Sequence, residues 1–408
     1  MDEMRDRIVA LAKRHRSKCT DFLRELIATP SESGQEEAVA LLVRREMLKL
    51  EYDSVDIDRF GNVIGRIGDG PTKILFDAHM DTPGIGDRSS WRFDPYNGDM
   101  KAGKVYGHGA ANNKGGLAAI VYAGSIIKEL DLASECTVYV VASVQAEACE
   151  GLAYKCIFDV EKLYPHFAVL SMPTGMRVCR GHRGRAEVRI TLRGEPVHAS
   201  APDKGFNAIY GVNTIVQGIQ ELNEQLPEDP FLGKATVAVT HIESAFNGPN
   251  MLPESCHIIV DRRLIPADEQ KKVLAELKTA CKGTRAKIEI VECDEPSYRG
   301  LRLPMEKYFP TWALEEGHPL IEAVENSYRS VFKKPGNVDR WTMSTPGAYT
   351  MGIANVPTVG FGPSEESFSG PINDHVRIDD LEKCMAVYAS IPDYLPETEP
   401  IRIPRRRR

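Results

Sequence analysis

The feature that most constrains the fold is the run Cys136 to Ser143, CTVYVVAS, which is dense in β-branched residues and carries no charge. Such a run fits a buried pleated strand. Two shorter apolar runs, Ile74-Leu75-Phe76 and Phe167 to Leu170, lie on either side of it in the chain. A strong helical stretch, Leu117 to Leu130, separates the first run from Cys136 to Ser143. Alternating strands and helices predict an α/β fold, with a mostly parallel sheet flanked by helices. Open sheets of that kind bind ligands at the carboxyl ends of their strands. The chemistry is therefore sought just after each apolar run.

Read in order, the chain begins with apolar positions at helical spacing (Ile8, Leu11, Phe22, Leu23, Leu26), which predict one amphipathic helix over Asp2 to Ala28. Thr29-Pro30 ends it, because the residue before proline is pushed out of the helical region. Ser31 or Ser33 is expected to cap a second helix, Glu36 to Leu50. Short strands follow near Ser54 to Ile57 and Val63 to Gly65, and Trp91 to Met100 reads as a loop. The pattern changes at Gly181-His182-Arg183-Gly184. From there strands at 186–192, 235–242, 256–264 and 286–291 interleave with helices at 208–222 and 267–281, a βαββαβ order that forms a compact α+β unit. A helix at 319–332 and a strand at 357–361 return to the first pattern. The expected organisation is an α/β domain in two parts, 1–182 and 296–408, interrupted by an inserted lid at 183–295.

Composition narrows the function classes. A net charge of −7 argues against nucleic acid as a partner. The run Arg405 to Arg408 reads as a solvated basic tail. No apolar stretch approaches a membrane span, and the N-terminus lacks a signal-peptide core. Nine scattered cysteines without a CxxC pair fit reduced thiols and a cytoplasmic setting.

Chemistry concentrates where Ile74-Leu75-Phe76 runs into FDAHMDTPG and is echoed by YGHGAANNKGG. His79 and Asp81 sit two apart at the strand's carboxyl end, the spacing of a metal-binding imidazole with an acid to orient it. The strand Cys136 to Ser143 leads directly into VQAEACEG, which holds Glu147, and Phe167 to Leu170 leads into SMPT.

In chain order FDAHMDTPGIGD, YGHG…KGG, GHRGR, GEPVHASAPDKGFNA, DRRLIP, DRWTMST and VPTVGFGP resemble the two-zinc amidohydrolase and metallopeptidase family of acetylornithine deacetylase, succinyl-diaminopimelate desuccinylase, aminoacylase and glutamate carboxypeptidase. The chain looks nearest to that family's selenium-metabolism hydrolase branch. The resemblance covers nearly the whole chain. It implies a catalytic domain with a dimerising lid, a homodimer, and a small-molecule substrate. It also implies two zinc ions sharing a water that a Glu activates. His79 would bind zinc and Asp81 would orient it. His198 would reach a partner subunit's site to stabilise an oxyanion. Arg263, Asn207 and Asn250 would face the substrate.

Four positions depart from the family pattern. Asn112 stands where the bridging Asp belongs, Ala146 where the general base belongs, Met172 where a carboxylate ligand belongs, and Gly370 where a late His belongs. His79 and Glu147 remain, and two residues cannot hold two ions, since catalytic zinc sites normally keep three protein ligands each. The expectation is therefore a metal-independent enzyme with no cofactor, using His79, Asp81, Glu147 and His198 for acid–base chemistry on an amino-acid-like compound, with Asn112 among the substrate-facing groups. Two alternatives stand beside it. One is an inactive binding protein. The other is a single-zinc hydrolase with a site rebuilt from His79, Glu147 and one of His108, His375 or Cys149.

Overall fold

The computed structural model describes residues 2–370 and 373–398, and the basic run Arg405 to Arg408 lies outside them. The chain forms two compact units. The first comprises Met1–Gly181, Asp294–Leu303 and Ala313–Arg408; the second comprises His182–Cys293 and Pro304–Trp312.

In the first unit the strands Ser54–Ile57, Val63–Ile67, Cys136–Ser143, Thr72–His79, Phe167–Leu170 and Thr358–Gly360 lie side by side in that order. The last four run parallel to one another, while Val63–Ile67 is antiparallel to both Cys136–Ser143 and Ser54–Ile57. Cys136–Ser143 is buried along nearly its whole length, as its β-branched side chains require in the middle of a sheet. Asp2–Ala28 is one helix, with Ile8, Phe22, Leu23 and Leu26 all buried on its apolar stripe. It packs with Gly115–Glu129 and Ile378–Ser390 into a helical layer. Helix Gly115–Glu129 approaches Tyr52 closely at Gly124, where a Cβ would meet the phenol oxygen at 1.9 Å. That space lets the Tyr52 hydroxyl donate to the Val121 carbonyl at 2.7 Å.

Two details differ from the sequence expectation. The second helix, Glu37–Lys49, has no serine cap; Glu36 occupies the cap position without a side-chain bond. Ser31 Oγ instead donates to the Met80 carbonyl and Ser33 Oγ to Asp81. Both hydroxyls are drawn off by buried acceptors at the end of Thr72–His79. The stretch expected to be a loop gives part of a hairpin, Asp99–Lys101 with Lys104–Tyr106, which His375–Arg377 extends to three strands.

The second unit is an antiparallel sheet in the order Thr236–Ser244, Ser255–Leu264, Gly184–Arg193, Lys287–Ile290, with helices Ala208–Gln225 and Gln270–Ala280. Burial alternates strictly along Ser255–Leu264. Its even-numbered side chains Ile258 and Val260 join Val212, Ile215, Val273 and Leu277 in one core. Only one face of the sheet is covered, which is the pattern of a half-buried antiparallel sheet.

Candidate functional site

Thr72–His79 ends with His79 level with Ser143 on one parallel neighbour, while Asp77 is level with Leu170 on the other. Three strands therefore release Met80-Asp81, Val144 to Glu147, and Ser171-Met172 at one end of the sheet. Asp81 is fully buried there and is held by a ring of donors. Ser33 Oγ donates to it at 2.6 Å, the Ala146 N–H at 3.1 Å and the Glu147 N–H at 2.9 Å. The same carboxylate faces His79 Nδ1 at 3.3 Å, and the Asp81 carbonyl lies 3.0 Å from that nitrogen.

On its other side His79 Nε2 lies 3.2 Å from Asn112 Oδ1, and Asn112 Nδ2 donates to Glu147 Oε1 at 2.8 Å. The carboxylate of Glu147 can only accept, so it fixes which way the amide points. That leaves the amide oxygen toward the imidazole, and both ring nitrogens face acceptors. Burial disfavours the imidazolium, but the Asp81 hydrogen bond and charge, with the Glu147 charge behind them, outweigh it and raise His79 to about 9. Burial likewise works against the Asp81 carboxylate, yet the His79 and Ser33 bonds bring it below the usual range. His79 Nε2 and Glu147 Oε1 lie 3.9 Å apart. The imidazole is 2 % exposed, whereas the Glu147 side chain is 28 % exposed, so the site opens on the Glu147 side.

The glycine-rich turn that carries Asn112 is anchored from below. Asp374 accepts from the Gly109 and Ala111 N–H groups, each at 2.8 Å. Lys114 Nζ donates to the carbonyls of Leu26 and Thr29 at 2.8 and 2.9 Å. Burial lowers the Lys114 ammonium to about 7 and raises Asp374 to about 7. Sequence reasoning missed Ser33, Lys114 and Asp374; the KGG triplet was the available signal for Lys114, and nothing local marks the other two.

The remaining expected site residues are placed as follows. Met172 is buried, with its sulfur accepting from Asn113 Nδ2 at 3.1 Å. Gly370 has φ +131°, a backbone that a side chain such as His adopts only with strain. Cys149 is 1 % exposed. His108 Nε2 lies 2.7 Å from the Pro83 carbonyl, with its ring edge-on to Trp91. His375 Nδ1 lies 2.6 Å from the Asn373 carbonyl, and its ring stacks on Phe368. Among the described residues His79, Glu147, His108 and His375 do not form a group whose ligand atoms all lie within 4.8 Å of one another.

In the second unit His198 Nδ1 accepts from the Ser200 N–H at 3.2 Å and lies 2.7 Å from its hydroxyl. The proton of the neutral ring is thereby placed on Nε2. Asn250, at φ +67°, accepts the Ala199 N–H at 2.7 Å, which brings it next to His198. Asn207 caps Ala208–Gln225 through the Ile209 N–H. Arg263 lies along Asp261 at 2.7 Å, while its neighbour Arg262 is fully buried against Asp268 and Glu276.

Comparison with known proteins matches residues 180–288 to the peptidase dimerisation domain model. The chain is 41 % identical over 389 residues to the uncharacterized protein YgeY of Escherichia coli strain K12, covering 94 % of this chain and 96 % of that one. Among solved structures it is similar to the M20 family metallo-carboxypeptidase Sso-CP2 of Sulfolobus solfataricus, with a TM-score of 0.74, 16 % identity, and coverage of 91 % and 98 %. The di-peptidase Dug1p of Saccharomyces cerevisiae superimposes with a TM-score of 0.75 at 13 % identity, covering 97 % and 99 %.

Proposed function

The chain belongs to the M20 peptidase family, and from that premise we propose that it is a member whose pocket works without a metal ion, on an amino-acid-like or acylamino small molecule. The observation that carries this reading is the Asn112 amide, bonded on one side to His79 and on the other to Glu147. A neutral amide there offers one oxygen and no charge, and that oxygen already faces the imidazole. The other inherited ligand positions hold a thioether that accepts from Asn113 and a glycine at positive φ. This donor set does not fit two zinc ions, which need three protein ligands each.

What the residues can do is move a proton. His79, held charged by Asp81, is a general acid through Nε2–H, and Glu147 is the acceptor 3.9 Å away. A ligand entering from the open Glu147 side would replace the amide's two hydrogen bonds with its own. One proton given and one taken is the requirement of a condensation, cyclisation or elimination. His198 is the fourth proposed acid–base group, and Asn207, Asn250 and Arg263 complete the set as substrate-facing groups, with a homodimer formed through the second unit, as its match to a dimerisation domain supports.

The test is metal analysis of chelator-free protein together with a metabolite turnover screen. Consumption of a compound by metal-free protein, lost in Glu147→Gln and His79→Gln, is expected. Stoichiometric zinc that disappears in Glu147→Gln would sink the proposal. No turnover, with both variants binding metabolites or partner proteins as the parent does, would leave an inactive binding protein instead.

A further inference from the structure

The geometry points to a separate metal site on the second unit: His241, Glu243 and His257 bind one divalent transition-metal ion of zinc's class. His241 and Glu243 lie two apart on Thr236–Ser244, the end strand of its sheet. His257 lies directly opposite Glu243 on Ser255–Leu264. Residues two apart share a face of a strand, and a cross-strand pair shares it too. The register slips between Val239 and His241, before the three-residue group begins, so the group itself sits on regular ladder.

That face is the uncovered one. Cys256, Ile258 and Val260 point into the helix-covered core, which leaves His257 on the outer side with His241 and Glu243. Glu243 Oε2 lies 3.4 Å from His257 Nε2 and 3.9 Å from His241 Nε2. One ligand atom from each residue lies within 4.8 Å of the other two, and among the described residues no other group of His, Cys, Asp or Glu does this. Tetrahedral zinc with bonds of about 2.0–2.2 Å separates its donors by roughly 3.3–3.6 Å. One edge is already at that length, and side-chain rotation brings in the rest. The donor set, two imidazoles and a carboxylate, is that of three-ligand zinc sites with the fourth position open. Here the fourth position faces outward, available to water or a ligand from outside the chain. Without a metal, one exposed carboxylate beside two histidines contributes little to stability.

The test uses the full-length protein freed of metal and titrated with Zn²⁺, then with Co²⁺ to read coordination from its visible spectrum. One saturable equivalent with a tetrahedral or five-coordinate cobalt spectrum is expected. His257→Ala and His241→Ala should each weaken binding by at least about tenfold, the loss that removing even an outer-shell partner typically brings. Thermal unfolding of the metal-free variants should match the parent closely, because His241 and Glu243 are exposed and His257 is only half-buried. Glu147→Gln should leave this equivalent intact, which keeps the result independent of the pocket on the first unit. The inference is overturned if the parent shows no saturable equivalent, or if the equivalent persists in the His241→Ala/His257→Ala double variant.

Discussion

Replacing Asp81 by Asn tests the central arrangement most directly. The carboxylate faces His79 Nδ1 at 3.3 Å, and both side chains are essentially inaccessible to water. His79 is raised from 6.5 to about 9 against the pull of burial, chiefly by this partner. At 1.36 kcal/mol per pH unit, that shift corresponds to about 3 kcal/mol of coupling. Because the folded imidazole holds its proton more tightly than the unfolded one, the stabilisation is complete below about pH 6.5. It is lost as the pH rises from there through about 9. The lowered Asp81 carboxyl is the same interaction seen from its other partner and is not added again. Asp81→Asn should therefore cost about 3–5 kcal/mol at pH 6, the usual result of leaving one member of a buried pair alone. The His79 titration, followed by ring NMR, should fall to below its ordinary value, since burial is then weakly opposed. Urea unfolding should show the stability difference between the parent and Asp81→Asn shrinking by about 3 kcal/mol between pH 6 and 9.5, the other titrating groups being common to both proteins. A parent His79 that titrates at or below 6.5, or a variant whose stability follows pH as the parent's does, would refute the reasoning.

Other outcomes follow from the same structure. Burial raises Glu36, which is 0 % exposed, to about 7, so its folded proton is lost late and the fold weakens as pH rises toward and through that value. Glu36→Gln should change stability by less than about 1 kcal/mol at pH 5 and raise it by about 1–3 kcal/mol at pH 8, as paired urea titrations would show. Arg262→Ala leaves Asp268 and Glu276 without their buried guanidinium partner, at present 3.0 and 3.1 Å away. It should destabilise the protein by about 3–5 kcal/mol in chemical denaturation. On the proposed reading Asn112 and Met172 stand at ligand positions, so Ala146→Glu alone should not produce zinc-dependent amide hydrolysis; recovery of that activity by the single change would show the ligand assignment to be wrong.

Sequence alone determined the architecture, because burial and backbone pattern are local. Eight residues of CTVYVVAS fit only a strand in the middle of a sheet, and the apolar stripe from Ile8 to Leu26 fits one helix. Motif order along the chain pointed to His79 and Asp81 as the candidate site. Tertiary structure decided what those residues touch. The serines next to the second helix were expected to cap it, but Asp81 and the Met80 carbonyl lie close enough in space to take their hydroxyls. His108 and His375 had the right chemistry for donors, yet among the described residues they do not gather with His79 and Glu147 within the reach of one ion. Asn112 looked like a lost ligand; only the fold places its amide between an imidazole and a carboxylate that come from two different strand ends. The His241, Glu243 and His257 group was equally invisible, since two strands must pair in register before its donors meet. Side-chain type is written in the sequence, whereas partnership depends on distances between segments far apart in the chain, and only the packed chain fixes those.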